Sequence, residues 1–188
     1  MNLNDFNDLL ESKRQEITDW MNLKRSEIPI PIYGSVDVRD AGWKIAVVDA
    51  NHFPAGFNNV ASEDEKHLAA LLKNHIKRRD ESCSWVHLYP ESHTRNAAYV
   101  ENLTTLQRLI ERAGFRCTVG SPELAEHGSI DGLSGPLKLD VVELREINGE
   151  QNIVIDGFSP DLILLNNDLT EGIVPGLGTG RVSPPPVM

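Results

Sequence analysis

The stretch "SWVHLYPESHTRNAAYVENLTTLQRLIERAGFRCTVGS", residues 84–121, contains a strand, a helix and a second strand in that order. Over residues 84–91, aromatic and imidazole side chains alternate with Val86 and Leu88, which is the two-residue period of a strand. The next segment has apolar residues at helical spacing and stops at Gly114, a residue type that commonly ends helices. An apolar run after Gly114 predicts the second strand. This order favours an α/β fold with a mostly parallel sheet.

Similar segments lie on both sides of this stretch. Residues 43–50, "WKIAVVDA", form a short and nearly continuous apolar run, and residues 160–168, "PDLILLNND", form another. Such runs fit strands that are covered on both faces, as in a parallel sheet. Between them, residues 62–80 have helical periodicity and begin with Ser62 and Glu65, the pattern of a capping box. We therefore expect both runs to belong to the same sheet.

A hairpin is predicted near the end of the chain. Asn148-Gly149 is a strong turn signal, and apolar-rich segments lie on both sides of it. Helical spacing also predicts one amphipathic helix over residues 4–25. Together these elements predict an α/β fold: a layered, mostly parallel sheet flanked by helices, with an added β-hairpin at its edge.

The chain divides into three segments on these criteria. Residues 1–34 contain the N-terminal helix and an extended, proline-broken lead-in. Residues 35–172 contain the strands and helices of an α/β domain of the substrate-binding type. Residues 173–188 are rich in glycine and proline, and we expect them to be a linker toward a C-terminal region that is absent from this chain.

Composition excludes several classes of function. The net charge is −10 and the isoelectric point is near 5.0, so the chain as a whole repels nucleic-acid phosphates. The densest basic run, 77–79, follows a predicted helix and complements its dipole. Two cysteines are too few for a disulfide framework, and no signal peptide or apolar run of about 18 residues is present. These features indicate a cytoplasmic protein that binds neither nucleic acid nor membrane.

Polar residues follow three of the predicted strands. In an open parallel sheet, ligands bind beyond the carboxyl ends of the strands, so we expect these residues to line one crevice. The three clusters, in chain order, are Asp49, Asn51, Asn58 and Asn59; Glu91, His93, Thr94, Arg95 and Asn96; and Asn166, Asn167 and Asp168.

The second cluster has the chemistry of an anion site. It leads directly into a predicted helix, whose first N–H groups favour a negative charge, and the guanidinium of Arg95 suits a carboxylate or a phosphate. A simpler interpretation is that Thr94 or Asn96 only caps the helix. A cap alone would not require Glu91, His93 and Arg95, which favours a ligand.

The third cluster offers amide and carboxylate oxygens, which could bind an amino group or a metal ion. The alternative is an ordinary turn after the strand, because Asn and Asp are common in turns. His93 and His52 lack the spacing of metal ligands or of a catalytic pair. The sequence thus predicts no metal site and identifies no catalytic residue.

Three long segments carry a resemblance to a known family. They are "SVDVRDAGWKIAVVDANHFPAGFNN" at 35–59, "PESHTRNAAYVENL" at 90–103 and "PDLILLNNDLTEGI" at 160–173. In this order they resemble the N-terminal part of a bacterial glutamate–cysteine ligase family, of the ATP-grasp-like type that is separate from the enterobacterial enzymes. The resemblance implies a pre-ATP-grasp-like N-terminal domain.

The same resemblance implies a reaction. L-glutamate is joined through its γ-carboxylate to L-cysteine, with ATP and Mg²⁺ as cofactors, and γ-glutamylcysteine for glutathione synthesis is the product. Members of the family are longer than this chain, and their nucleotide and metal sites lie mostly in later domains. The resemblance therefore implies a truncated protein, with ATP and Mg²⁺ bound mainly outside this chain.

The residues of the clusters also acquire roles through the resemblance. Arg95 would hold the α-carboxylate of an amino acid at the helix start, and Asp49 or Asp168 would pair with its ammonium group. The asparagines at 51, 58, 59, 96 and 167, with His93, would fix the orientation of the substrate.

Two other functions remain open from the sequence. The chain could be a non-catalytic α/β module that binds a small amino acid or another anion, since no nucleophile–base pair stands out. It could also be an interaction domain without a ligand. The sequence does not indicate an oligomeric state.

Overall fold

The computed structural model describes residues 3–28, 30–92, 96–169, 172–178 and 180–186. The chain forms two compact units, Met1–Asn51 and His52–Met188. The first unit contains the helices α1 (Leu3–Ser12) and α2 (Arg14–Glu27) and the strands β1 (Ser35–Asp40) and β2 (Ile45–Asn51). None of the helices in the described ranges is both long enough and apolar enough to span a bilayer.

The N-terminal segment is divided into two helices rather than one over residues 4–25. The break is at Lys13, whose backbone leaves helical geometry with φ −105° and ψ 5°. Its N–H still donates to the carbonyls of Leu9 and Leu10, at 3.0 and 3.2 Å. The Lys13 N–H therefore remains hydrogen-bonded where the chain turns. Six large apolar side chains of the two helices are exposed: Leu9, Leu10, Ile17, Trp20, Met21 and Leu23.

The prediction that residues 43–50 form a buried strand of the parallel sheet is wrong. This run forms β2, which pairs antiparallel with β1, and Val38 lies opposite Val47. A tight turn joins the two strands: Gly42 has a φ of 76°, and its N–H donates to Asp40 Oδ1 at 2.7 Å. Two strands that are joined by a short turn can pair only in the antiparallel direction. β2 therefore pairs with β1, which precedes it in the chain.

The second unit contains the helices and strands that build the main core. In chain order these are α3 (Glu65–Arg79), β3 (Trp85–Pro90), α4 (Ala97–Arg112), β4 (Arg116–Val119), β5 (Ser129–Asp131), β6 (Pro136–Lys138), β7 (Glu143–Ile147), β8 (Glu150–Val154), β9 (Leu162–Asn166) and β10 (Val182–Ser183). Short 3-10 turns lie at Phe57–Asn59 and Pro122–Leu124.

The central sheet has four parallel strands in the order β10-β9-β3-β4. The predicted strand–helix–strand unit is confirmed, since β3 and β4 pair directly and α4 connects them. The α4 helix ends as predicted at Gly114, which has a φ of 95°. Its N–H donates to Glu111 and the next N–H, of Phe115, donates to Ile110, the pattern of a Schellman motif. The predicted α/β fold with a mostly parallel sheet is therefore confirmed.

The sheet is buried on both faces. Val86 and Leu88 of β3 are fully buried, and α4 packs against β3, β4 and α3. The side chains of the opposite face form one apolar cluster, with members Phe53, Trp85, Tyr89, Val142, Ile153, Ile155, Ile163, Leu165, Leu169, Leu177 and Val182. Residues 173–188, for which a linker is expected, thus supply strand β10 and two core residues, Leu177 and Val182.

Two local predictions for the second unit have different outcomes. The hairpin of β7 and β8 turns at Asn148 and Gly149, whose φ angles of 55° and 83° are both positive, as its two-residue turn requires. The capping box at Ser62 and Glu65 does not form, because α3 begins at Glu65 itself. Glu65 instead accepts hydrogen bonds from two arginines of α4, Arg108 and Arg112, at 2.7 and 2.8 Å.

Candidate functional site

The candidate site lies at the carboxyl edge of the parallel sheet, in the second unit. Because β3, β4 and β9 run in the same direction, their last residues lie together: Pro90 is paired with Asn166, and Leu88 with Val119. Polar residues follow each strand. Ligands of open α/β sheets bind at this edge, where loops and helix starts converge.

A buried network of asparagines attaches the loop around residues 54–59 to this edge. Asn166, at the end of β9, donates to the carbonyl of Pro54 at 3.0 Å. Asn102 of α4 donates to the Asn166 side chain at 3.3 Å and accepts from the N–H of Phe57 at 2.9 Å. Asn102 and Asn166 are almost completely buried. Buried amides that bond in this way fix the loop in one position.

Tyr99 joins the ends of two strands through its hydroxyl group. The hydroxyl donates to the carbonyl of Asn166 at 2.9 Å and accepts from the N–H of Glu91 at the same distance. Asn166 ends β9, and Glu91 follows β3. One phenol from the first turn of α4 therefore holds both strand exits in register, which makes this edge rigid.

The structure gives structural roles to two of the predicted site residues. Asn96 is the N-cap of α4, and its side-chain oxygen accepts from the N–H groups of Ala98 and Tyr99. Asn167 accepts from the N–H of Leu169 at 2.8 Å and donates to the carbonyl of Pro90 at 3.2 Å. The simpler interpretations from sequence, a helix cap and a strand-end turn, thus account for these contacts.

The other predicted residues are distributed over the chain. Asn58 and Asn59 lie in the 3-10 turn that packs against α4, and Asp168 is exposed just beyond β9. Asp49 and Asn51 belong to β2 of the first unit, whereas the site described here consists of the second unit alone. His93 and Arg95 lie outside the described residues.

Sequence reasoning missed polar residues after β4. Gly120 and Ser121 follow this strand directly, and Glu123 accepts a hydrogen bond from the hydroxyl of Tyr89 at 3.1 Å. Burial, and then the carboxylate of Glu123, raise the pKa of Tyr89 well above its usual value, so the phenol remains a neutral donor. The signal was available, because the predicted strand "FRCTVGS" has the same polar exit as its neighbours.

The histidine within the sheet is part of the core. His87 is fully buried; its two ring nitrogens lie 3.0 Å from Thr118 Oγ1 and from the carbonyl of Gly120. The Gly120 carbonyl can only accept, so Nε2 carries the proton of the neutral ring, and Nδ1 accepts from the Thr118 hydroxyl. The oxygen of this hydroxyl also accepts from the Trp85 indole. Burial lowers the pKa of His87 to about 4, which keeps the ring neutral.

The two cysteines lack the environment of a nucleophile. Burial, and next the charge of Asp161, raise the pKa of Cys83 to about 11. Burial also raises the pKa of Cys117 far above its usual value. A thiol with a raised pKa is protonated at neutral pH and is a poor nucleophile.

A cleft of about 360 Å³ lies at the opposite, amino edge of the sheet. Its walls include Arg79, Asp80, Asp161 and Arg181. Arg79 donates to two backbone carbonyls, of Gly180 and Val182, and Asp161 accepts from backbone and side-chain groups of residues 84 and 85. The charged side chains of this cleft already form hydrogen bonds that hold distant parts of the chain together. We therefore place the candidate site at the carboxyl edge.

Possible metal ligands were compared over the part of the chain that the structure describes. Across the described ranges, no group of three or more His, Cys, Asp or Glu side chains is arranged so that it could hold a metal ion. The carboxyl edge offers amides, hydroxyls and the carboxylates of Glu123 and Asp168. Such groups recognise the charged ends and polar atoms of a small ligand.

Comparisons with known proteins identify the family. The family model described as glutamate-cysteine ligase matches residues 7–187. A crystal structure of a "putative gamma-glutamylcysteine synthetase" from Methylobacillus flagellatus KT has a TM-score of 0.82 and 32% sequence identity, and the alignment covers 94% of this chain and 42% of that protein. No curated protein matches significantly. The chain spans less than half of that relative, and it belongs to the glutamate–cysteine ligase family.

Proposed function

We propose that this chain is the amino-terminal, substrate-binding part of an ATP-dependent glutamate–cysteine ligase. The observation that carries the proposal is the family match over residues 7–187, together with a similar fold at 32% identity. In the proposed reaction, the γ-carboxylate of L-glutamate forms an amide with the amino group of L-cysteine. Activation of this carboxylate as an acyl phosphate is the chemistry that ATP supplies.

The chain's own task in this proposal is to bind and orient the amino acids. A rigid edge is suited to this, because positioning alone can account for a large part of a rate enhancement. Asn102, Asn166 and Tyr99 hold the strand exits and the 54–59 loop, so side chains around them keep fixed positions.

We assign substrate contacts to the polar residues predicted from the sequence. Arg95 holds an α-carboxylate, which its guanidinium group suits. Asp49 or Asp168 pairs with an ammonium group. The remaining members of the proposed set orient the substrate: Asn51, Asn58, Asn59 and His93 by contact, and Asn96 and Asn167 through the helix cap and the turn that they form.

The nucleotide and its magnesium ions belong, in this proposal, to the part of the enzyme outside this chain. The described residues contain no group of three or more His, Cys, Asp or Glu side chains that could hold a metal ion. The relative from Methylobacillus flagellatus has more than half of its length beyond the aligned region. We therefore expect this chain alone to bind amino acids without turnover.

A phosphate-release assay tests the proposed reaction. The assay uses this chain and a protein extended to the full length of the relative, each with ATP, Mg²⁺, L-glutamate and L-cysteine. We expect the extended protein to release phosphate only when both amino acids are present, and this chain to release none. If the extended protein releases no phosphate with both amino acids, the ligase function is wrong.

Arg95 is tested in the extended protein by Arg95→Ala. Loss of a charge-assisted contact to the substrate should raise KM for one amino acid by about tenfold or more. Arg78→Ala is the matched control, because Arg78 is exposed on α3 and its Nε donates to a helix carbonyl. An unchanged KM in Arg95→Ala removes this residue from the substrate site.

One observation favours a second function, a binding module without catalysis. The cysteines have raised pKa values and His87 is held neutral in the core, so none of these groups is an activated nucleophile or base. Calorimetry with L-glutamate and with L-cysteine separates the alternatives. Binding by the extended protein without phosphate release supports the module, and the absence of binding as well supports an interaction domain.

A further inference from the structure

A fourth polar strand exit contributes to the carboxyl edge of the sheet. β4 is the neighbour of β3, and its last residue, Val119, pairs with Leu88. The residues that follow, Gly120 and Ser121, therefore lie at the same edge as Pro90 and Asn166, which end β3 and β9. This exit was not among the site residues expected from the sequence.

Ser121 has an unusual hydroxyl group. The residue is fully buried, and across the described residues its Oγ is the one buried side-chain polar atom without a hydrogen-bond partner. It precedes the Pro122–Leu124 turn but does not cap it. A buried hydroxyl that forms no hydrogen bond loses its hydration without compensation, so such groups are rare in native proteins.

Glu123 places an exposed carboxylate in the turn that follows Ser121. Its Oε2 accepts from the Tyr89 hydroxyl at 3.1 Å, and the ring of Tyr89 is fully buried in the core. Ser121 and Glu123 are two residues apart, because Ser121 directly precedes the short Pro122–Leu124 turn that contains Glu123. No ion pair in the described part of the chain includes Glu123.

The backbone at this exit is held in place. The N–H of Asp140 donates to the carbonyl of Val119 at 2.8 Å, and the Asp140 side chain accepts from the N–H of Val119 at 2.9 Å. A Cβ atom on Gly120 would lie 2.5 Å from the Asp140 carbonyl oxygen, so only glycine fits here. The backbone that leads into Ser121 is therefore fixed before any ligand arrives.

We propose that Ser121 and Glu123 bind the α-ammonium group of L-glutamate. This inference rests on the proposed function, since it names the site for one group of one substrate. An ammonium group has three N–H donors, and the Glu123 carboxylate and the Ser121 oxygen are both acceptors. The negative charge at this exit repels a phosphate or a carboxylate, so the anionic groups of the substrate bind elsewhere along the edge.

The chemistry of the ligation gives this contact a purpose. L-glutamate has an amino group of its own, which must not react with the activated carboxylate in place of the amino group of L-cysteine. An ammonium nitrogen has no lone pair and cannot attack. A carboxylate next to it favours the charged form, so Glu123 would both hold the substrate and prevent the wrong reaction.

The test compares two ligands and three variants of this chain by calorimetry. L-glutamate and glutarate differ only in the amino group. Glu123→Gln should weaken binding of L-glutamate by about tenfold or more, with a smaller loss for Ser121→Ala, while binding of glutarate stays unchanged. Glu126→Gln is the matched control, because Glu126 is exposed three residues further along and should affect neither ligand.

Thermal unfolding of the same variants separates binding from folding. Ser121→Ala removes a hydroxyl that has no partner, so its Tm should not fall. Equal affinity of Glu123→Gln and the unchanged protein for L-glutamate would overturn the inference, as would equal losses for both ligands or the absence of L-glutamate binding to the unchanged chain.

The inference and the proposed function can fail separately. If the extended protein synthesises the dipeptide but Glu123→Gln leaves KM for L-glutamate unchanged, the inference is wrong and the function stands. If L-glutamate binds in a way that depends on Glu123, but the extended protein releases no phosphate, the ligase function is wrong and the ammonium site stands.

Discussion

Two strands, β2 and β9, have similar sequences and opposite environments. Each is a short apolar run that ends in asparagine. β9 is buried along its whole length between β10 and β3, whereas β2 pairs only with β1 in a two-stranded hairpin and is largely exposed. An apolar run therefore predicts a strand but does not say which strands lie beside it.

The difference comes from the residues next to each run. β2 follows β1 after a turn made by Asp40 and Gly42, and such a turn can join only antiparallel strands. β9 has no such partner next to it in the chain, and it pairs with β3 in the parallel core. The sequence analysis overlooked the turn signal "RDAGWK", because it interpreted this region from the apolar run alone.

The largest expected effect comes from the same substitution in both strands. Ile163 of β9 is 2% exposed and Ile45 of β2 is 48% exposed. Ile163→Ala should reduce the free energy of unfolding by about 2–5 kcal/mol, because a cavity replaces packed atoms. Ile45→Ala should change it by no more than about 0.5 kcal/mol. Urea denaturation followed by circular dichroism measures both.

Equal losses for the two variants would contradict the comparison. In that case the side chains of β2 would be packed in solution as tightly as those of β9.

The second effect depends on pH. It distinguishes the two units, because all six histidines belong to the second unit, which begins at His52. Burial lowers the pKa of His87 to about 4, below its unfolded value near 6.5. As pH falls from about 6.5 toward 4, His87 binds a proton in the unfolded state but not in the folded state. The free energy of unfolding should therefore fall, by up to about 1.4 kcal/mol per pH unit.

The reporter for this measurement is the fluorescence of Trp85, with Trp20 and Trp43 replaced by phenylalanine. His87→Gln should remove most of the pH dependence between about 6.5 and 4. His75→Gln is the control: burial first, and then Arg78 and Arg79, lower the pKa of His75, so it contributes in the same direction. A pH dependence that survives in His87→Gln would show that another group titrates.

The smallest effect concerns ion pairs in the two units. Glu65 is mostly buried between Arg108 and Arg112, whereas Glu27 of α2 pairs with Lys24 in the open. Glu65→Gln should lower the free energy of unfolding by about 1–2 kcal/mol, because both charge-assisted bonds weaken. Glu27→Gln should cost only a few tenths of a kcal/mol. Denaturation in low and high salt checks both values, and a larger loss in Glu27→Gln would contradict the prediction.

Two local signals in the sequence predicted the backbone correctly, whereas the capping box at Ser62 and the single N-terminal helix were wrong. Gly114 and Asn148-Gly149 determine backbone geometry through residues next to them, and the structure has the expected helix end and turn at these positions. Strand pairing over long distances could not be read in this way. The edge strand β10 has only two residues, and its place beside β9 depends on tertiary contacts.

The candidate site shows the same difference between what local sequence predicts and what depends on distant residues. The position of the site follows from the parallel direction of the strands, which the sequence indicates through the helix between β3 and β4. The roles of single residues do not follow. Asn102 bonds to residues far away in the chain, and the lack of a partner for Ser121 is visible only when all its neighbours are in place.

The order of strands in the parallel sheet also affects synthesis on the ribosome. β3 and β4 emerge with α4 between them, but β9, the other neighbour of β3, begins only at Leu162. Until then the backbone groups along one side of β3 have no strand to pair with, and an open edge of this kind can capture a foreign strand. A nascent chain that pauses between Pro90 and Leu162 is therefore the form of this protein that is most exposed to aggregation.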